Sequence, residues 1–164
     1  MTPKDFVSEY LNEAHKIFDC YRGPEFEKAM DLMWEAYSKD KQVFIFGNGG
    51  SAGTSNHMVN DLAKGTAVEG KKRLRVIGLA DNMSLLTAIA NDIGYDVVFE
   101  EQLKNLMNPG DLCIAISASG NSPNVIRAVE YARKHGGKVV SLVGFTGGKL
   151  KPLSDVALYF ETHN

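Results

Sequence analysis

The sequence predicts an α/β fold: a three-layer sandwich in which one parallel sheet of five strands, in the order 2-1-3-4-5, carries helices on both faces. Two further helices precede the first strand. Three observations predict this. Short apolar runs rich in β-branched residues alternate with amphipathic stretches along the chain. The first run, Val43 to Phe46, ends in Gly47-Asn48-Gly49-Gly50-Ser51 and opens directly into a helical pattern. The third, Leu112 to Ile116, ends in Ser117-Ala118-Ser119-Gly120-Asn121-Ser122-Pro123 and does the same. Parallel neighbours are joined by right-handed crossovers. In this strand order the winding reverses between the first and third strands, so a crevice opens beyond their carboxyl ends, flanked by the two polar loops.

Each element follows from local pattern. Phe6, Val7, Tyr10, Leu11, Ala14, Ile17, Phe18 and Tyr21 recur at helical spacing and predict a helix over about 4–21, broken by Gly23-Pro24. A second helix, about 25–38, carries Phe26, Ala29, Met30, Met33, Trp34 and Tyr37. Either both helices pack on the sheet or one partly pairs with another subunit, and the surplus of large apolar residues points to oligomer contacts over 4–38. After the glycine turn a helix is expected over 51–64, a polar connection over 65–72 and a second strand over 74–79. Asp81 or Asn82 suits the cap of a short helix through Ala90. A further helix is expected over 95–107 before Asn108-Pro109-Gly110 turns the chain into the third strand. Ser122 suits an N-cap and Pro123 the first helical position of a helix that runs to His135 and stops at Gly136-Gly137. The fourth strand is expected over 138–143, a glycine-rich stretch over 144–152 and a short fifth strand over 156–160.

The bulk numbers fit one domain, residues 1–164, with 44% hydrophobic and 23% charged residues. Lysine and arginine number 18 against 20 aspartates and glutamates, so no global basic field exists for nucleic acid or an anionic membrane. The expected ligand is small. Met1-Thr2-Pro3-Lys4-Asp5 is no apolar signal, and no apolar run nears the roughly 20 residues of a bilayer span, so a cytoplasmic address is expected. Cys20 and Cys113 lack the spacing of a zinc knuckle or redox pair and read as core thiols. Lys71, Lys72, Arg73 and Arg75 read as the solvated entry to the second strand.

Chemistry concentrates at the two loops. A tight glycine turn leaves backbone N–H groups aimed outward beside the positive end of a helix dipole, which suits an anion such as phosphate. Ser117, Ser119 and Ser122 add three hydroxyls at a second helix start, a neutral cradle for a phosphate dianion. Alone, that loop would be an ordinary capped turn; across the crevice from the glycine turn it reads as a phosphate site. Gly47-x-Gly49-x-x-Ala52 also admits a dinucleotide reading. That reading wants an acid about 20 residues on, whereas Asp81 lies more than thirty residues after Gly47, and it is set aside. His57 and Asp61, one helical turn apart, share a face and suit acid/base work or a shared metal ion, or are simply a surface pair. Asn91-Asp92, just before Gly94, is by itself a helix stop.

Taken together, Gly47-Asn48-Gly49-Gly50-Ser51, His57, Ala90-Asn91-Asp92 and Ile116-Ser117-Ala118-Ser119-Gly120-Asn121-Ser122 resemble the sugar isomerase (SIS) domain, and within it the phosphoheptose isomerases most closely. The likeness runs from the N-terminal helices to the last strand. It implies a flavodoxin-like sandwich, a homotetramer with the N-terminal helices at subunit contacts, and conversion of sedoheptulose 7-phosphate to D-glycero-D-manno-heptose 7-phosphate by enediol proton transfer. By resemblance, Asn48, Gly49, Gly50 and Ser51 meet the phosphosugar together with Asn91 and Asp92. Ser117, Ala118, Ser119 and Ser122 would hold its phosphate. His57 falls on a zinc-ligand position, so zinc is the implied cofactor, with Asp61 at the place of the catalytic base and substrate contact; His57 then serves as metal ligand or proton shuttle, and the shared face makes Asp61 a candidate second ligand.

Several positions depart from the family pattern. Asp61 stands where the family has glutamate, one methylene and roughly 1.5 Å longer. Ala118 replaces a common threonine, and Lys64-Gly65-Thr66 replaces a Gly-Arg. The family also continues past the last strand into a helix bearing a glutamine and a histidine, whereas this sequence closes on Glu161-Thr162-His163-Asn164. That helix is therefore expected to be absent, with His163 a poor substitute. These departures keep a rival open: a non-catalytic SIS protein that binds a phosphosugar or a protein partner, resembling the family's replication-initiator-binding relative.

Overall fold

The computed structural model describes residues 2–19 and 23–162; Cys20, Tyr21 and His163 lie outside them. Five parallel strands, β1 (Gln42–Gly47), β2 (Arg75–Gly78), β3 (Leu112–Ser117), β4 (Lys138–Val143) and β5 (Val156–Tyr159), form one sheet in the order β2-β1-β3-β4-β5. In register, β1 sets Val43 beside both Val76 and Leu112, and Ile45 beside Gly78 and Ile114. Because side chains alternate along a strand, Phe44 and Phe46 enter one core with Leu79, Phe99, Leu103, Val125 and Val129, while Val43 and Ile45 enter another with Leu112, Ile114 and Ala36. A parallel sheet buried on both faces explains why its strands read as unbroken apolar runs.

The helices are α1 (Pro3–Asp19), α2 (Pro24–Ser38), α3 (Gly50–Asn60), α4 (Met83–Asp92), α5 (Glu100–Leu106), α6 (Pro123–Lys134) and α7 (Leu150–Leu153). Ala29, Leu32, Met33 and Ala36 of α2 pack on the sheet. α1 sends no side chain into either core cluster among the described residues, and its Phe6, Val7, Tyr10, Leu11 and Phe18 are more than half exposed. Of the two N-terminal helices, only α2 is a sheet helix.

Four local differences from expectation have physical reasons. The helix expected over 95–107 is a 3-10 turn, Tyr95–Val97, followed by the shorter α5. Val97, Val98 and Phe99 are all buried, and three consecutive inward residues span more of the circumference than one α-helical face offers. α3 passes into a single π-helical turn, Asp61–Gly65, closed by the Thr66 N–H donating to the Asp61 carbonyl at 3.2 Å. Ser122 sits at the N-cap of α6, yet its hydroxyl makes no cap bond and lies 3.4 Å from Ser117 Oγ. The glycine-rich stretch holds α7, because Leu150 is fully buried and needs a turn of helix to reach the core. Asn82, by contrast, caps α4 as expected, accepting from the Leu85 N–H at 3.1 Å.

Candidate functional site

The glycine turn is built by contacts that only glycine permits. A Cβ on Gly47 would stand 2.6 Å from the Ile116 carbonyl oxygen and 2.8 Å from Ser51 Cβ, so its absence lets the end of β1 lie against β3 and the start of α3. Gly49 takes φ 53°, ψ −120°, a conformation closed to ordinary side chains. The Ser51 N–H closes the turn on the Asn48 carbonyl at 2.9 Å. No atom approaches the positions where Gly49 and Gly50 would carry Cβ atoms. That side of the turn is open at the start of α3, whose Ala52 N–H reaches the Asn48 carbonyl at 3.3 Å and whose Gly53 N–H reaches the Gly49 carbonyl at 3.1 Å.

The serine loop, beyond β3, is held from within and from behind. Ser117 Oγ accepts from the Gly120 N–H at 3.2 Å, and Ser119 Oγ accepts from the Asn121 N–H at 3.2 Å. Behind it, the Gly144 N–H donates to the Ala118 carbonyl at 3.0 Å, the Leu150 N–H to the Gly120 carbonyl at 3.0 Å and the Lys149 N–H to Asn121 Oδ1 at 3.1 Å. A Cβ on Gly120 or Gly148 would collide with the facing backbone of the other loop. Ser51, Ile116 and Ala118, with Ile17 of α1, Phe160 and Thr162, line a cleft of about 340 Å³ beside both loops.

The glycine turn and the start of α6 meet through Asn48, a predicted site residue, and two side chains that the sequence reading did not single out, Asn124 and Tyr95. Asn48 and Asn124 exchange reciprocal bonds, Asn48 Nδ2 donating to Asn124 Oδ1 at 2.8 Å and Asn124 Nδ2 to Asn48 Oδ1 at 2.9 Å. The Tyr95 hydroxyl also donates to Asn48 Oδ1, at 2.9 Å. The available signal was an amide at the second position of α6 on a face that packs inward; Asn124 is 2% exposed. Tyr95 carried no signal of its own.

His57 Nε2 lies 3.2 Å from Asp61 Oδ2, so the expected pair forms; the side chains are 77% and 61% exposed. Asn91 Nδ2 donates to Asp92 Oδ1 at 2.7 Å, and both residues are exposed at the end of α4. Through Tyr95 this segment, but not these two side chains, is tied to the glycine turn. As for metal, His57 and Asp61 offer nitrogen and oxygen donors of the kind zinc takes, but zinc needs three or four protein ligands. Among the described residues no cluster of three or more His, Cys, Asp or Glu side chains exists. The pair is chemically suited and numerically half a site.

Comparison with known proteins supplies a further finding. Residues 9–144 match the SIS domain family. A phosphoheptose isomerase of Helicobacter pylori strain P12 is 45% identical over 132 residues, which cover 80% of this chain and 68% of that protein. One of Aliarcobacter butzleri strain RM4018 is 41% identical over 155 residues, 94% of this chain and 80% of that protein. Among solved structures, phosphoheptose isomerases of Neisseria gonorrhoeae (TM-score 0.89, 31% identity, 99% of this chain and 88% of that one) and Francisella tularensis (0.91, 27%, 100% and 88%) share the whole architecture.

Proposed function

This chain belongs to the SIS domain family, and from that premise we propose that it is a phosphoheptose isomerase converting sedoheptulose 7-phosphate into D-glycero-D-manno-heptose 7-phosphate. The observation that carries this is the pairing of a glycine turn and a serine loop at the ends of adjacent strands β1 and β3, in a chain alike in sequence and fold to phosphoheptose isomerases.

In this reading the phosphate is held by the Ser117, Ser119 and Ser122 hydroxyls and the backbone around Ala118. The sugar is held by Asn48, Gly49, Gly50, Ser51, Asn91 and Asp92. Aldose-ketose exchange moves one proton between two carbons and one between two oxygens. The Asp61 carboxylate removes a C1 proton, giving the enediol, and returns a proton to C2. His57, 3.2 Å away, carries the proton between O2 and O1. Zinc is the alternative role for the same pair: His57 and Asp61 would then supply two ligands, and a bound ion would polarise a substrate oxygen in place of the His57 shuttle.

The proposal extends to assembly and compartment. Exposed Phe6, Tyr10 and Phe18 on α1, with Trp34 on α2, support a homotetramer with these helices at the contacts. A cytoplasmic location fits the absence, among the described residues, of any helix long and apolar enough to cross a membrane. The test is a coupled turnover assay with sedoheptulose 7-phosphate, with and without added zinc, beside Asp61→Asn. Turnover lost in that variant is expected; wild-type protein that is heat-stabilised by the phosphosugar yet never turns it over would overturn the enzymatic reading in favour of a binding protein.

A further inference from the structure

Asn48 is the one proposed sugar contact whose side chain is locked on two sides, and the polarity of that lock can be read. A backbone N–H can only donate, so the Val125 N–H, 3.0 Å from one side-chain atom of Asn124, identifies that atom as Oδ1. The other atom of the buried Asn124 amide is therefore its NH2, and it faces Asn48 across 2.9 Å, so the atom it meets is Asn48 Oδ1. The second half of the ring, Asn48 Nδ2 to Asn124 Oδ1, follows at 2.8 Å. With Asn48 Oδ1 an acceptor, the Tyr95 hydroxyl 2.9 Å from it must donate.

A carbonyl oxygen has two lone pairs and an NH2 group two hydrogens. Asn124 and Tyr95 occupy both lone pairs of Asn48 Oδ1, and Asn124 takes one of the two hydrogens. One N–H remains, on a half-buried residue at the mouth of the glycine turn. We propose that Tyr95 and Asn124 are positioning residues that fix the Asn48 amide so that it offers the substrate a single N–H and no acceptor, which selects a substrate oxygen able to accept at that point. The inference rests on the isomerase reading for the identity of the substrate, but the lock itself does not.

Two variants and two readouts test it. Tyr95→Phe deletes one hydroxyl on an exposed residue. With sedoheptulose 7-phosphate, KM should rise roughly three- to tenfold from the loss of one hydrogen bond, with kcat within about twofold and an unchanged melting temperature. Asn124→Asp sets a second oxygen against Asn48 Oδ1 and turns the amide, and kcat/KM should fall by roughly a hundredfold. Independently of turnover, 15N-resolved spectra of the wild-type side-chain amides should show one Asn48 proton exchanging slowly and the other fast, with both resonances displaced in Tyr95→Phe. An unchanged KM in Tyr95→Phe, or two Asn48 protons exchanging equally fast in the wild type, overturns the proposal. If the wild type does not turn over sedoheptulose 7-phosphate but shows the slow and fast Asn48 protons, the isomerase reading falls and the assigned polarity of Asn48 stands.

Discussion

Single residues divide into those whose chemistry is local and those whose partners lie far along the chain. His57 and Asp61 are one turn apart, so their pairing was legible from spacing alone, and the structure joins them at 3.2 Å. Gly49 was legible too, since three glycines in four residues announce a turn that other residues cannot make. Asn124 and Tyr95 were not, because their partner Asn48 lies 76 and 47 positions away and no local pattern records such a meeting. If Asp61 is the base, Asp61→Asn should lower kcat by roughly a hundredfold or more while leaving the melting temperature near that of the wild type, as befits an exposed side chain; a turnover assay beside a thermal melt checks both. Cys113 is the opposite kind of residue. It is fully buried in β3, where burial and then the nearby Asp111 charge push its thiol well above the ordinary range. Iodoacetamide should leave Cys113 unlabelled in native protein and label it only after denaturation, which peptide mapping by mass spectrometry can read.

At the scale of elements, periodicity gave away helices that lie flat on the sheet and concealed those that must turn. The break at Val97 to Phe99 arises because three successive residues are needed inside. The π turn after α3 escapes any repeat-based reading, since one added residue per turn leaves no mark in a five-residue stretch. α5 and α6 are tied by charge. Glu100 accepts from Lys104 at 3.0 Å and from Arg127 Nε at 3.1 Å, and Arg127 also meets Asp96 at 2.6 Å. Burial alone would raise the Glu100 carboxyl, but the bonds from Lys104 and Arg127 outweigh it and hold it below the usual glutamate range. A depressed carboxylate adds stability above the unfolded-state value, about 4.3, and that stability is lost as pH falls through the lower folded value. Arg127→Ala should therefore melt roughly one to three degrees below the wild type at neutral pH, and the gap should close as pH drops below about 4. Thermal melts of both proteins across that range decide it.

For the whole molecule, strand order and crevice were legible because alternating strands and helices leave few ways to wind a parallel sheet, and the two loops mark where the winding reverses. How α1 is covered was less so: apolar spacing tells that a face exists, not what lies on it. If α1 and α2 meet other copies of the chain, light scattering should give four times the chain mass, and Phe6→Glu with Trp34→Glu should give smaller species with the sheet's circular dichroism intact. An assembly unmoved by both changes would put the contact elsewhere. The serine loop has a consequence of its own at this scale. Its backbone is keyed into residues 144–150 so tightly that glycines are required on both sides of the joint. The serine loop is thus a dovetail cut from two boards, and anyone transplanting it to another scaffold, or recombining it with a relative, would have to move both halves together: Ser117 to Ser122 grafted alone would arrive without the groove that holds its shape.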